Sequence, residues 1–311
     1  MLAIVLALAS ALGYGGSDFA AGLAARDASV IAVTVLASAV GFVVVLVALP
    51  FAAAPGFPGL SAGALGWGFV AGLGGTLGAL ALYLGYRHAA FSVAGPLSAV
   101  GSAGFSVLAG LLFGERPTGL ALAGIVLALP AIVAVSVSGD AGASPTGPGG
   151  AARGVGLGLV AGACFALLFI GLDRAGAGVA GSGLWPVAAT GAGELVTALV
   201  TAVVAGVVSR RSAVGAVSPA NRGAWGLRLP DGRARRLAVV TGVTGAAGAI
   251  LFFFATHRGF LAVTAVLTSL YPAVTIVLAR ILLGERLTAL RLGGLALAGA
   301  CVSLIAIGGA G

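Results

Sequence analysis

Long runs of apolar residues, separated by short polar segments, constrain this chain more than any other feature of its sequence. An apolar run of 18 or more residues predicts a membrane-spanning helix, and here such runs follow one another along the whole chain. Only 8% of the residues are charged, whereas a soluble globular protein carries about 25%. The runs are unbroken, while the strands of a membrane barrel alternate apolar and polar residues. The sequence therefore predicts an all-α membrane protein.

Ten membrane-spanning helices can be placed, five on each side of a Gly- and Pro-rich segment. The first five are predicted at 2–24, 29–49, 61–86, 91–113 and 118–137. The second five are predicted at 154–172, 183–208, 237–256, 260–283 and 288–308. The segment between them has a composition typical of a flexible linker. We therefore divide the chain into a first unit at 1–138, a linker at 139–153 and a second unit at 154–311.

A tripeptide that occurs twice indicates that the two units are related. Gly114-Glu115-Arg116 recurs as Gly284-Glu285-Arg286, 170 residues later. The same offset places three glycines of the first unit on three of the second: Gly72, Gly75 and Gly78 on Gly242, Gly245 and Gly248. Such self-similarity is the signature of an internal repeat. Because each unit has an odd number of helices, the second enters the membrane the other way up. The predicted architecture is two inverted five-helix repeats.

The repeated tripeptide lies at the turns between helices four and five and between helices nine and ten. Glycine suits the left-handed end of a helix, and an acidic residue is favourable at a helix start. We therefore interpret both copies as structural turns rather than as a transport site. Two prolines, Pro96 and Pro272, are predicted to kink helices four and nine, which is common near the binding sites of transporters.

The arginines predict the orientation in the membrane. The chain has no lysine, and seven of its arginines lie in the segment 209–236. Loops on one side of the predicted topology carry twelve arginines and loops on the other side carry three. Cytoplasmic loops carry an excess of positive charge, so we expect 209–236 in the cytoplasm and both termini outside. The arginine cluster also suits a nucleic acid, but membrane orientation explains it with fewer assumptions.

Two carboxylates inside predicted helices are the main candidates for a functional site. Asp18 lies in helix one and Glu194 near the middle of helix seven. A charged residue inside a membrane is costly, so its presence favours a functional role. Burial makes a carboxyl harder to ionise, and both residues are suited to exchange protons or to bind a cation. The alternative is a purely structural role, for Asp18 as a partner of Arg26. Tyr14 and Tyr271 are the aromatic residues that we expect to line the same cavity.

The closing segment Thr268–Gly299, with its Tyr271-Pro272 and Gly284-Glu285-Arg286, resembles the end of an EamA-type repeat of the drug/metabolite transporter superfamily. Phe91–Ser136 is a weaker copy, with Ser102 where the second repeat has Pro272. The resemblance implies ten helices around a central cavity and export of small organic solutes coupled to an ion gradient. It also implies cytoplasmic termini, which conflicts with the arginine distribution.

We therefore expect a secondary transporter in the plasma (inner) membrane, in contact with the lipid bilayer, that moves small metabolites or drugs by alternating access with protons. A passive channel or a structural membrane component is the alternative. An enzyme is less favoured, because the chain has two histidines and no hydrolase or phosphate-binding motif. No cofactor or metal is expected, and the sequence leaves the substrate, the coupling ion and the oligomeric state open.

Overall fold

The computed structural model describes residues 1–52, 61–88, 91–136, 150–176, 183–212, 230–284 and 288–308, and their regular structure is entirely helical. The N-terminal half contains α1 (Leu2–Asp27), α2 (Val30–Ala52), α3 (Ala62–His88), α4 (Phe91–Leu112) and α5 (Gly119–Ser136). The C-terminal half contains α6 (Gly150–Gly176), α7 (Trp185–Ser212), α8 (Gly232–Thr256), α9 (Leu261–Thr268), α10 (Tyr271–Leu283) and α11 (Ala289–Gly308).

Most of these helices have the length and composition of membrane spans. Within the described residues, nine stretches are long and apolar enough to cross a bilayer. The predicted fifth span corresponds to a shorter apolar helix, Gly119–Val135. Helices satisfy their own backbone hydrogen bonds, which lipid cannot do. The prediction of an all-α membrane protein is therefore confirmed for the described part of the chain.

Several helices extend further than the sequence predicts, so two predicted loops are shorter. Helix α6 begins at Gly150, inside the predicted linker 139–153, and α7 and α8 both extend into the segment 209–236. Arg233, Arg235 and Arg236 consequently lie in the first two turns of α8 rather than in a loop. Hydropathy marks where a helix leaves the apolar core, but a helix can continue into the polar interface. Residues 139–149 and 213–229 of these loops lie outside the described residues.

The predicted ninth span is two helices rather than one. Helix α9 ends at Thr268 and α10 begins at Tyr271, with Ser269 and Leu270 between them. Pro272 lies in the first turn of α10, where the absence of an N–H group costs no hydrogen bond. The Ser269 hydroxyl is buried and lies 3.1 Å from the Ser102 hydroxyl of α4. Pro96, by contrast, lies within α4, which is a single helix.

Small residues allow the helices to approach one another closely, as glycine-rich membrane proteins require. A Cβ atom on Gly13 of α1 would lie 2.8 Å from the Cα atom of Gly248 in α8. Two hydroxyls of α1 join the same pair of helices: Ser10 donates to the Gly248 carbonyl at 2.8 Å and Ser17 to the Thr241 carbonyl at 3.1 Å. Helices α1 and α8 are therefore in close contact along Gly13 and Ser17.

The main contacts run between the two halves rather than within them. Helix α3 packs against α6 and α7, and α8 packs against α1 and α2. Helices α5 and α11 form a further pair. The third helix of each half therefore lies against the first two helices of the other half. Both halves contribute helices to the centre of the bundle.

Candidate functional site

A cavity of about 160 Å³ lies between the two halves of the bundle. Its walls come from α1, α2 and α3 of the first half and from α6, α7 and α8 of the second. The lining reaches from the middle of α1 to its C-terminal end, where Ala25 and Val30 contribute. We call the end of the bundle that holds the α1–α2 turn the cavity end. Helix α8 begins at this same end, where Arg233 lies 3.8 Å from Asp27 of α1.

One face of α1 supplies the acid and the tyrosine that the first half contributes to the cavity. Tyr14, Ser17, Asp18 and Ala21 all line the cavity, because positions three and four apart share one side of a helix. Asp18 is exposed, and its carboxyl makes no hydrogen bond or ion pair with a described residue. The Tyr14 hydroxyl oxygen is buried and also has no partner among the described residues. Arg26, the alternative partner for Asp18, has a side chain outside the described part.

Glu194 of α7 supplies the acid of the second half. It is half-buried and lines the cavity. A Cβ atom added to Gly75 of α3 would lie 3.0 Å from its Oε1 atom, so the glycine leaves room for the carboxyl. The Thr76 hydroxyl donates to the backbone carbonyl of Glu194 at 3.2 Å. The carboxyl itself makes no hydrogen bond or ion pair with a described residue.

The cavity is acidic. Its described lining contains two carboxylates and no arginine or histidine. The ion pair recorded between described residues, Arg233 with Asp27 at 3.8 Å, is largely exposed and lies outside that lining. Among the described residues no group of three or more His, Cys, Asp or Glu side chains is placed to hold a metal ion.

The structure brings together three of the four residues that we predicted to bind substrate or protons. Asp18, Glu194 and Tyr14 share the cavity, but Tyr271 is not among its described lining residues. Tyr271 instead begins α10 and packs against a separate core cluster that contains Ile4 and Leu267. Its backbone carbonyl lies against α1, where a Cβ atom on Gly15 would be 2.7 Å from it.

The opposite end of the bundle is closed by buried apolar side chains. Leu172, Leu184 and Phe252 lie one turn beyond the cavity residues Leu168, Val187 and Ala249. These three side chains are at most 2% exposed, and Leu261 of α9 is fully buried beside them. We call this the closed end. A solute in the cavity would have to displace this apolar layer to leave there.

At the closed end, a carboxylate of the first half accepts hydrogen bonds from the second half. Glu115, in the turn after α4, accepts hydrogen bonds from the backbone N–H groups of Leu261 at 2.5 Å and Ala262 at 2.9 Å. Burial raises the pKa of the Glu115 carboxyl, and the two N–H groups oppose that rise. Glu115 was expected to favour the start of its own next helix. The structure shows that it instead caps α9, whose N-cap residue Phe260 supplies no side-chain bond.

The other turn residues have local roles where they are described. Gly114 and Gly284 both have left-handed backbones, with φ of 94° and 69°, as the sequence predicts for the ends of their helices. Arg116 is exposed and donates to the backbone carbonyl of Glu115 at 2.9 Å. Glu285 and Arg286 lie outside the described residues.

Further contacts at the closed end involve the last turn of α6. Asp173 accepts a hydrogen bond from the Thr256 hydroxyl, and the Arg174 guanidinium lies 3.7 Å from the centre of the Phe113 ring. Sequence reasoning did not select Asp173 or Phe113, because both lie near predicted helix ends where polar and aromatic residues are ordinary. No local pattern reveals that these partners, far apart in sequence, meet.

Comparison with known proteins agrees with this architecture. The model of the EamA-like transporter family matches residues 1–137 and again residues 153–307. A solved structure described as "Crystal structure of protein" aligns with a TM-score of 0.70 at 16% identity, over 98% of this chain and 96% of that one. At this identity the alignment shows the fold alone. No curated protein matches the chain in sequence.

The fold and the family match define a membrane transporter of the drug/metabolite type. The chain belongs to the EamA-like transporter family, within the drug/metabolite transporter superfamily. Members of this family are transporters rather than enzymes, and the chain is an integral membrane protein whose helices contact lipid.

Proposed function

We propose that this protein is a proton-coupled secondary transporter that exports small organic solutes across the plasma (inner) membrane by alternating access. One observation carries the proposal: Asp18 and Glu194, from different halves, reach the same cavity without a hydrogen-bond or ion-pair partner among the described residues. A carboxyl kept inside a membrane without a partner is costly unless it binds something. These carboxyls bind protons and the substrate alternately.

An inverted repeat, with units at 1–138 and 154–311, supports the alternating movement. Gly124 of α5 lies against Ile305 of α11, and Gly294 of α11 lies against Val135 of α5. The 170-residue offset converts one of these contacts into the other. The packing of α3 and α8 follows the same pattern: α3 lies against α6 and α7, and α8 lies against α1 and α2. Two related units of this kind exchange open and closed ends by rocking against each other.

The difference between the two ends supports a cycle of alternating access. Asp18 is exposed in a cavity that reaches one end, while Leu172, Leu184 and Phe252 fill the bundle at the other. In the ten-helix topology the arginine-rich loops are all at the cavity end. By the positive-inside rule this conformation loads from the cytoplasm, as an exporter must, and both termini are outside.

Labelling of a single cysteine tests this orientation. In a variant with Cys164→Ala, Cys301→Ala and Ser218→Cys, we expect no reaction of intact cells with a membrane-impermeant thiol reagent, and ready reaction after permeabilisation. Ready labelling of intact cells would place 209–236 outside and overturn the orientation. Both termini would then be cytoplasmic. This result would leave the cavity and its carboxyls unaffected.

Proteoliposomes test the transport function. We would impose a proton gradient and follow three radiolabelled tracers: phenethylamine, phenylalanine and phenylacetate. Flux through protein-free liposomes is subtracted, because weak bases and acids cross lipid in their neutral forms. We expect at least one tracer to be moved against its own gradient only while the proton gradient lasts. Protein-dependent flux that is always downhill and ignores the proton gradient would establish a passive channel, and the absence of protein-dependent flux would contradict transport of solutes of this size.

A further inference from the structure

We propose that the cavity selects a small organic cation, an amine whose apolar part is about the size of one aromatic ring. The inference rests on the proposed function, because it names the class of solute that the transporter carries. It depends on three properties of the cavity: its charge, its unpartnered polar atoms and its volume.

The charge of the lining excludes anions and disfavours zwitterions. Asp18 and Glu194 are the charged residues of the described lining. A buried ion needs a partner of opposite charge. Within the described lining an anion would face two carboxyls and no base. The ammonium group of an amino acid would find its partners here, but its carboxylate would find none among the described lining residues, so a simple amine is favoured over both.

The polar atoms without partners match the donors of an ammonium group. A primary ammonium has three N–H donors and no acceptor. The cavity offers the carboxyls of Asp18 and Glu194 and the buried hydroxyl oxygen of Tyr14, none of which has a hydrogen-bond partner among the described residues. Hydrogen bonds to charged donors are stronger than neutral ones. Binding of an ammonium group would satisfy the Tyr14 oxygen, which is otherwise a buried polar atom without a bond.

Several hydroxyls of the lining are already occupied. Thr34, Thr190 and Thr241 donate to the backbone carbonyls four residues earlier, at 2.9, 3.1 and 2.9 Å. Ser17 donates across to the Thr241 carbonyl. Such back-bonded hydroxyls present little free donor capacity. The remaining surface consists mainly of alanine, valine and glycine with Leu168 and Phe165, so the rest of the ligand is apolar.

The volume suits an apolar part of about one ring. The cavity measures about 160 Å³, and an apolar protein cavity of about 150 Å³ holds one benzene molecule. A phenyl ring fills such a space, while a short alkyl chain places its ammonium group toward the carboxyls. Solutes with several rings would require the bundle to open further.

Three ligands that share a phenyl ring but differ in charge test the proposal. At pH 7 phenethylamine is a cation, phenylalanine a zwitterion and phenylacetate an anion. Binding to the purified protein in detergent is measured by calorimetry, with the shift in unfolding temperature as a second readout. We expect phenethylamine to bind at least about tenfold more tightly than either other ligand, the scale of one charged hydrogen bond.

Matched variants connect this preference to the named carboxyls. Asp18→Asn and Glu194→Gln should each weaken phenethylamine binding about tenfold and leave the weak binding of the other two ligands unchanged. Asp27→Asn, which removes an acid of the same helix that is not part of the described lining, should retain wild-type binding. The ranking of ligands on the wild-type protein needs no variant, so it remains decisive if a variant fails to fold.

The outcomes separate this inference from the proposed function. Phenylalanine or phenylacetate binding as tightly as phenethylamine, or no binding of phenethylamine, would overturn the cation preference. If phenylalanine is moved by the proton gradient and phenethylamine is not, the ligand class is wrong and coupled transport stands. If phenethylamine binds through both carboxyls but is never moved uphill, the ligand class stands and coupled transport is wrong.

Discussion

The two ends of the bundle use carboxylates in opposite ways. At the closed end, both oxygens of Glu115 accept backbone N–H groups from α9. Toward the cavity end, the carboxyls of Asp18 and Glu194 have no such bonds among the described residues. The acid in a polar turn is therefore bonded to the fold, and the acids within the helices are the ones that we propose bind a ligand.

This difference explains how the bundle can be tightly packed at one end and open to a solute at the other. Glu115 links the turn after α4 to the first turn of α9, across 146 positions of sequence. The apolar layer around Leu172 and Phe252 lies behind it. The cavity end has Ala25 and Val30 at its margin and an exposed pair, Arg233 with Asp27, beyond, and exposed ion pairs contribute little stability. Variants at each end test whether this contrast is real.

The largest expected effect on stability is that of Glu115→Ala. The N–H groups of Leu261 and Ala262 would lose their acceptor, and each unsatisfied buried donor costs about 1–3 kcal/mol. The matched control is Asp231→Ala, which removes a carboxylate that caps only its own helix through Ala234 at 2.9 Å. An exposed cap of that kind contributes about 1 kcal/mol. Unfolding in a mixed detergent series should show the larger loss for Glu115→Ala, and equal losses would mean that the closed end is not held by this carboxylate.

A slightly smaller effect is expected from Gly72→Ala. The new methyl group would overlap the backbone of α7 at Thr190 and Glu194, and overpacking costs about 1–3 kcal/mol. Because the collision moves Glu194, phenethylamine binding should weaken as well. Gly104→Ala in α4 is the control, since nothing lies within 4 Å of the added atom. Unfolding measures the loss of stability, and calorimetry measures the loss of phenethylamine binding. If the Gly72→Ala protein were as stable as the Gly104→Ala protein, α3 and α7 would have to be further apart than the structure places them.

Tyr14→Phe is expected to have effects of opposite sign on the empty and the occupied protein. Removing a buried hydroxyl that has no partner should raise the unfolding temperature of the ligand-free protein by the equivalent of about 1 kcal/mol. The same change should weaken phenethylamine binding several-fold. Tyr271→Phe, at a residue outside the described lining, should leave binding unchanged. A fall in stability with Tyr14→Phe would mean that the hydroxyl has a partner already.

The smallest effect is a pH dependence at the closed end. Burial raises the pKa of Glu115 above its ordinary value of 4.5. A carboxyl whose pKa is higher in the folded state makes folding less favourable as pH rises from the unfolded value through the folded one. The stability of the wild type relative to Glu115→Gln should therefore decline as pH rises from below 4.5. Unfolding temperatures of both proteins, measured across this range, would contradict the assignment if their difference were constant or grew.

Most of the fold was predictable because hydropathy alone requires it. Apolar runs specify helices in a bilayer. Helix ends were predicted less well, since α6 and α8 continue beyond their apolar parts. The break between Thr268 and Tyr271 was expected only as a kink at Pro272. A buried contact between Ser102 and Ser269 lies at the break, and no local pattern reveals it.

The candidate site was predictable in part, for a similar reason. Asp18 and Glu194 stand out because charged residues inside a membrane are rare, and Tyr14 lies one turn from Asp18. Tyr271 was chosen as an aromatic residue expected to line the cavity, but it lies against another cluster. The role of Glu115 was beyond prediction, because its partners, Leu261 and Ala262, lie in the other half of the chain.

The most direct test of the central claim is the initial rate of proton-driven phenethylamine movement against its gradient, in matched proteoliposomes of four proteins. These are the wild type, Asp18→Asn, Glu194→Gln and the control Asp27→Asn. We expect equal uphill rates for the wild type and Asp27→Asn, and no rate above that of protein-free liposomes for Asp18→Asn and Glu194→Gln. Full proton-driven uphill movement in both Asp18→Asn and Glu194→Gln would show that the transport chemistry lies outside this cavity.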